Sequence, residues 1–144
     1  MSRMPNVQLR RYLPGDHLSI NLQESQRQDS RTDYMIDANL KAGRSLTLLV
    51  NGKVKAVGGV AIFWRGRGAA WAFVDQDIPP RAWPRIRRLV RLELDAAQKN
   101  LARLEVQTRR RSIGHWTFAR SLGFEAESVL HNFVGNDVYI MGVR

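Results

Sequence analysis

Cysteine is absent from the 144 residues, which excludes disulfides and thiol chemistry. Long apolar runs are absent as well, and no window is long or apolar enough to span a bilayer. The first residues, MSRMPNVQLRRY, carry no apolar stretch of the kind a secretion signal needs. Acidic residues are scarce: 13 Asp and Glu stand against 23 Lys and Arg, for a net charge of +10. The three histidines, His17, His115 and His131, are dispersed and have no cysteine partners, so no metal site is expected. Walker loops, nucleophile elbows and helix-turn-helix signatures are also missing. What remains is expected to be a soluble intracellular or particle-enclosed protein, with no membrane partner.

Apolar residues make up 44% of the chain, enough for one domain over residues 1–144 with a real core. Nineteen of the 23 basic residues are arginine, a bias that a genome's codon preference explains as well as function does. The net charge itself suits an acidic partner such as nucleic acid or a phosphorylated ligand.

Local patterns place the elements. VQLRRY, residues 7–12, suits a first strand. Asp16 is placed to cap a helix running to about Gln28, and Ser30 with Asp33 resembles a capping box for a second helix ending at Gly43. Two β-branched runs flank Asn51-Gly52, the preferred centre of a two-residue hairpin turn. Gly58-Gly59 inside the second run marks a bulge or a close backbone approach. A turn at 65–68 leads to a third strand, AAWAFVDQ, at 69–76.

The longest helix follows. Trp83, Ile86, Val90, Leu94 and Ala97 fall on one of its faces, and Arg81, Arg85 and Arg88 on the other. LARLEVQT, residues 101–108, reads as a strand, and Ser112 is placed to cap a short helix to Leu122. Gly123 then sits where a helix-ending residue with positive φ belongs. Two strands joined by Gly135-Asn136 close the chain. The order β-α-α-β-β-β-α-β-α-β-β implies a mixed α/β sheet with helices on both faces.

That order, with LGF at 122–124, resembles the Gcn5-related N-acetyltransferase (GNAT) fold over nearly all the chain. The resemblance implies that the strands at 69–76 and 101–108 are parallel neighbours that splay at their C-terminal ends. It also implies that Ala72, Phe73 and Val74 offer backbone groups to the pantetheine of acetyl-CoA. Two features depart from the family. Where active members carry a glycine-rich loop for the cofactor's pyrophosphate, this chain has DQDIPPRAWPR, with three prolines and no glycine. Where many members place a general-acid tyrosine, four residues before the glycine of LGF, this chain has Ala119. Acetyl-CoA binding is therefore expected to be weak or absent.

A narrower resemblance covers both departures. Residues 70–91 and 105–124 are similar to the internal virion protein A group of short-tailed bacteriophages, a divergent GNAT architecture without the glycine loop. It implies a virion-associated protein, found in the host cytoplasm during infection or in the particle, acting mainly by binding other virion proteins or packaged nucleic acid.

The chemical candidates each have two readings. Asp75 and Asp77 lie near where some family members hold a general base, or they serve the turn before Pro79. His115 shares a helical face with Phe118 and Leu122, as a base facing a cleft or as a packed core residue. Arg81, Arg85 and Arg88, and the run Arg109–Arg111, are placed to hold cofactor phosphates or nucleic acid, or form a solvated face. Trp71, Trp83 and Trp116 read as packing. Three functions stay open: a virion-associated binding protein, an acyl-CoA-dependent N-acetyltransferase, and a nucleic-acid-binding module.

Overall fold

The computed structural model describes residues 4–27 and 43–144. Seven strands form one sheet: β1 (Val7–Arg11), β2 (Gly43–Val50), β3 (Lys53–Trp64), β4 (Arg67–Val74), β5 (Arg103–Arg109), β6 (Glu125–Val134) and β7 (Asp137–Val143). Their spatial order is β1-β2-β3-β4-β5-β7-β6. All neighbours are antiparallel except β4 and β5, which are parallel. Among the described residues the α-helices are α1 (Glu24–Arg27), α2 (Trp83–Gln98) and α3 (Ile113–Ser121).

The hairpins form as their turn residues dictate. Asn51 and Gly52 both take positive φ, 52° and 79°, in the two-residue turn between β2 and β3. Gly135, at φ 58°, turns β6 into β7. Of the two roles open to Gly58-Gly59, close approach is the one observed. A Cβ on Gly58 would lie 2.7 Å from the carbonyl oxygen of Trp71, and one on Gly59 would run into the carbonyl of Arg44. The bulge of this hairpin falls instead at Leu48/Leu49.

The apolar face of α2 packs as its periodicity requires. Ile86 and Leu94 are buried, and Trp83 and Val90 pack beside them against Val7, Leu48, Val50 and Ala56. Arg81, Arg85 and Arg88 are exposed on the far side. Helix α3 lies against the same sheet face: Trp83 meets Phe118 edge to face at 5.3 Å, and Arg87 Nε donates to Ser121 Oγ at 3.0 Å. Gly123 ends α3 at φ 100°. Its N–H donates to Arg120 O and that of Phe124 to Ala119 O, a complete Schellman stop. Ser112 holds the N-cap position of α3, but its side chain makes no capping bond.

The first helix departs from expectation. Asp16–Ser19 is a 3-10 turn, and among the described residues of this stretch only Glu24–Arg27 is α-helical. The Asp16 carboxylate does not cap. It accepts from Arg10 at 2.7 Å and Thr47 Oγ1 at 2.6 Å. Thr47 points to the sheet face opposite Leu48, so this turn crosses the face that α2 and α3 leave open. Between the turn and α1, Leu22 bridges Asp75 at the end of β4. A polar, weakly periodic segment has little apolar face to hold it helical, and these tertiary bonds win. The second helix expected here, with Ser30 and Asp33, lies outside the described residues apart from Gly43, which opens β2.

Candidate functional site

Strands β4 and β5 pair only at Arg67↔Arg103, Gly68↔Leu104 and Ala69↔Glu105. Beyond that point each follows its other neighbour, β4 with β3 up to Val74 and β5 with β7 up to Arg109. The two strands therefore part towards their C-terminal ends, as the family resemblance implies. A cavity of about 1010 Å³ opens between them, walled by Ala70, Ala72, Val106, Trp83 and Phe118 among others.

A strand that loses its neighbour leaves backbone groups to satisfy. Asp75 N–H donates back to Lys55 O, so the groups of alternate residues Val74 and Ala72 face the cleft. They do not face it empty. Gln26, from α1, donates its Nε2 to Ala72 O at 2.6 Å, and its Oε1 accepts Val74 N–H at 2.8 Å. Gln23 N–H donates to Val74 O at 3.1 Å. One carboxamide thus acts as a short stretch of strand along β4. Ala72 and Val74, with Phe73 between them, line the cleft, and three of their backbone groups, Ala72 O, Val74 N–H and Val74 O, are engaged within the chain.

The segment after β4 has few amides to offer an anion. Pro79, Pro80 and Pro84 have no N–H. The N–H of Asp75 goes to Lys55 O, that of Gln76 to Asn21 O and that of Asp77 to Asp75 Oδ1. Ala82 N–H goes to Pro79 O and Trp83 N–H to Pro80 O. Asp75 is buried, and its carboxylate also accepts Asn21 N–H at 3.0 Å and lies 3.7 Å from Lys55 Nζ. Burial pushes its pKa up, but the two backbone amides and Lys55 outweigh burial and hold it below the usual carboxylate range. Asp75 thus organises the turn, whereas Asp77 is exposed beyond the strand and does not pair with it across a cleft.

His115 does line the cleft, at the first turn of α3. Its Nε2–H donates to Gln23 Oε1 at 2.6 Å, which leaves Nδ1 as its basic nitrogen. Burial first, and the nearby Arg109 charge second, lower its pKa. The position four before Gly123 holds Ala119, which is buried in the core formed with Leu94, Leu104 and Phe124. The basic groups separate: Arg109 is buried and lines the cleft, while Arg110 and Arg111 are exposed outside it. Gln23 and Gln26 have no sequence signal of their own, since an isolated glutamine marks nothing. Among the described residues no cluster of ligating side chains suits a metal ion, and no helix is long and apolar enough to cross a membrane.

The parting of two parallel strands in a seven-stranded mixed sheet, with α2 between them in sequence, is the GNAT acetyltransferase fold. Solved structures bear this out at low identity. A GNAT-family acetyltransferase from Streptococcus pneumoniae is similar at 16% identity and a TM-score of 0.68, over 95% of this chain and 98% of that one. A GNAT-family acetyltransferase from Elizabethkingia anophelis with acetyl-CoA bound matches at 14% and 0.70, over 96% and 97%. A Bacillus subtilis acetyltransferase in complex with CoA matches at 12% and 0.72, also over 96% and 97%. No protein-family model and no curated protein matches the chain in sequence.

Proposed function

We propose that this chain is a binding protein on an acetyltransferase scaffold and does not work by turnover. The observation that carries the reading is the state of the amides in residues 75–84. In this fold a pyrophosphate is gripped by free backbone N–H groups at the start of the helix after β4. Here three of ten positions are proline and five more donate within the chain. The residues present do not fit the diphosphate of CoA. The Gln26 carboxamide on Val74 and Ala72 takes the edge that pantetheine would pair with. Ala119 supplies no proton where the family's tyrosine stands.

The exposed Arg85 and Arg88, and the net charge of +10, support an acidic partner. The resemblance of residues 70–91 and 105–124 to the internal virion protein A group supports a place in or around virion assembly, beside another virion protein or packaged nucleic acid. A calorimetric titration with acetyl-CoA tests the reading. Weak or undetectable binding is expected. A dissociation constant in the low micromolar range or tighter overturns it.

One observation favours a second reading as an N-acyltransferase. The cleft of about 1010 Å³ is intact, and similar folds hold acetyl-CoA or CoA. Tight binding in the same titration, followed by acetyl transfer to an amine, selects that reading.

A further inference from the structure

We propose that the cleft contains a carboxylate subsite, with Arg109 as its cationic anchor and the Trp71 indole N–H as a second donor. The inference stands whether the cleft transfers acyl groups or only binds.

Along β5, Leu104 and Val106 point to the α2/α3 side and pack in the core. Arg109 therefore points to the opposite face, with Glu105 and Gln107. The pairing Ala69↔Glu105 sets Trp71 on that same face, across the opening from Gln107. Both Arg109 and Trp71 line the cleft.

Each presents a donor that finds no partner among the described residues. Arg109 is 5% exposed, and its Nη1 is buried with no hydrogen-bond partner. Trp71 Nε1 is likewise buried and unpartnered. Buried polar groups are almost always satisfied, so two orphaned donors on one face of one cavity call for an explanation. Their complement is a ligand with oxygen acceptors.

Charge narrows the class. The other end of the guanidinium, Nη2, lies 3.3 Å from Asp137, and Asp137 also serves Arg111 at 3.3 Å. One carboxylate is thus shared between two guanidiniums, and the cluster keeps a surplus of positive charge. That surplus suits a monoanion. A phosphate dianion would want more donors than one Nη1 and would sit close to the Asp137 carboxylate. Tyr139, whose ring lies under the Arg109 guanidinium at 6.0 Å, completes a flat wall suited to a planar group. A carboxylate meets these conditions, whether it belongs to a small organic acid or to the C-terminus of a peptide.

The test is an NMR titration of the full chain with N-acetylglycine, read at the Trp71 indole N–H. N-acetylglycinamide is the neutral control and inorganic phosphate the dianion control. A saturable shift with the acid is expected, with binding of the amide about tenfold or more weaker, as loss of a charge-assisted bond implies. Phosphate is expected to bind more weakly than the acid. Arg109→Gln is expected to lose a similar factor. Trp71→Phe keeps the ring packing and removes the donor. Read at Arg109 resonances, it is expected to bind the acid several-fold more weakly, and it keeps the test open should Arg109→Gln fail to fold. Equal binding of acid and amide, no saturable shift with the acid, phosphate binding tighter than the acid, or unchanged binding by a folded variant overturns the proposal. A hexapeptide ending in glycine identifies the source: markedly tighter binding than N-acetylglycine points to a chain terminus, and equal binding to a small acid.

Discussion

Arg67 and Glu105 close the base of the cleft: Nη2 of the arginine lies 2.8 Å from Oε1 of a glutamate whose side chain is fully buried. Arg103 adds a second bond, Nε to Oε2 at 2.7 Å, and reaches on to Glu127 in β6. The pair sits where β4 and β5 still bond to each other, just before they part. It ties together the two halves of the sheet that the cleft separates.

The Arg67 and Arg103 side chains are 32% exposed and Arg103 keeps Glu127, so neither guanidinium is stranded away from water when Glu105 loses its charge. Glu105→Gln is therefore expected to cost about 1–3 kcal/mol, as loss of charge-assisted hydrogen bonds does, measured as a shift in the midpoint of urea unfolding. The pH dependence has a definite sign. Burial raises the Glu105 pKa, but Arg67 and Arg103 outweigh burial and hold it below the ordinary 4.5. Its contribution is present above 4.5 and is lost as pH falls through the lower folded value. Asp16, also held low chiefly by Arg10, acts in the same direction. Melting temperature is expected to drop below about pH 4.5, and less steeply in Glu105→Gln.

Gln26→Ala removes the carboxamide from the β4 edge. Faster amide exchange at Val74 is expected, with a stability loss of about 1 kcal/mol. Acetyl-CoA affinity is expected to rise relative to the parent, because the edge is then open. Unchanged exchange at Val74 in a folded variant contradicts the role given to Gln26.

His115 is held neutral near pH 7, since burial and Arg109 lower its pKa from 6.5. An NMR titration of its ring protons is expected to give a midpoint below 6.5, moving up in Arg109→Gln. A folded value below the unfolded one means that stability falls as pH drops below about 6.5. His115→Gln should flatten that part of the profile.

The arginine stripe of α2 distinguishes nucleic-acid binding from other acidic partners. If DNA is the partner, Arg85→Ala with Arg88→Ala weakens binding for all sequences. The salt slope then falls by about 2, near one for each phosphate that an arginine no longer neutralises. An unchanged slope removes this stripe from the interface.

Gly59→Ala tests the packing of β3 on β2, because the new Cβ would meet the Arg44 carbonyl. A destabilisation of about 1–3 kcal/mol is expected by thermal unfolding.

Much of the fold was legible in local chemistry. Asn51-Gly52, Gly123 and Gly135 announce their turns because only certain residues accept positive φ. The face of α2 was legible because Trp83, Ile86, Val90 and Leu94 recur at the helical period. The extent of the first helix was not legible. Asp16 has the chemistry of a cap, but Arg10 and Thr47 reach it from other strands of the sheet and take the carboxylate.

The candidate site divides along the same line. By itself the sequence determined what the loop after β4 lacks, because a proline has no N–H in any fold. It determined too that Ala119 offers no proton. Only the tertiary structure decided where polar groups meet. It sent Arg109 inward while Arg110 and Arg111 stayed in solvent, because β5 ends at Arg109 and the two that follow lie in the turn before α3. It laid Gln26 along Val74 across 48 residues of chain, because a strand parted from its neighbour must find hydrogen-bond partners wherever the fold supplies them.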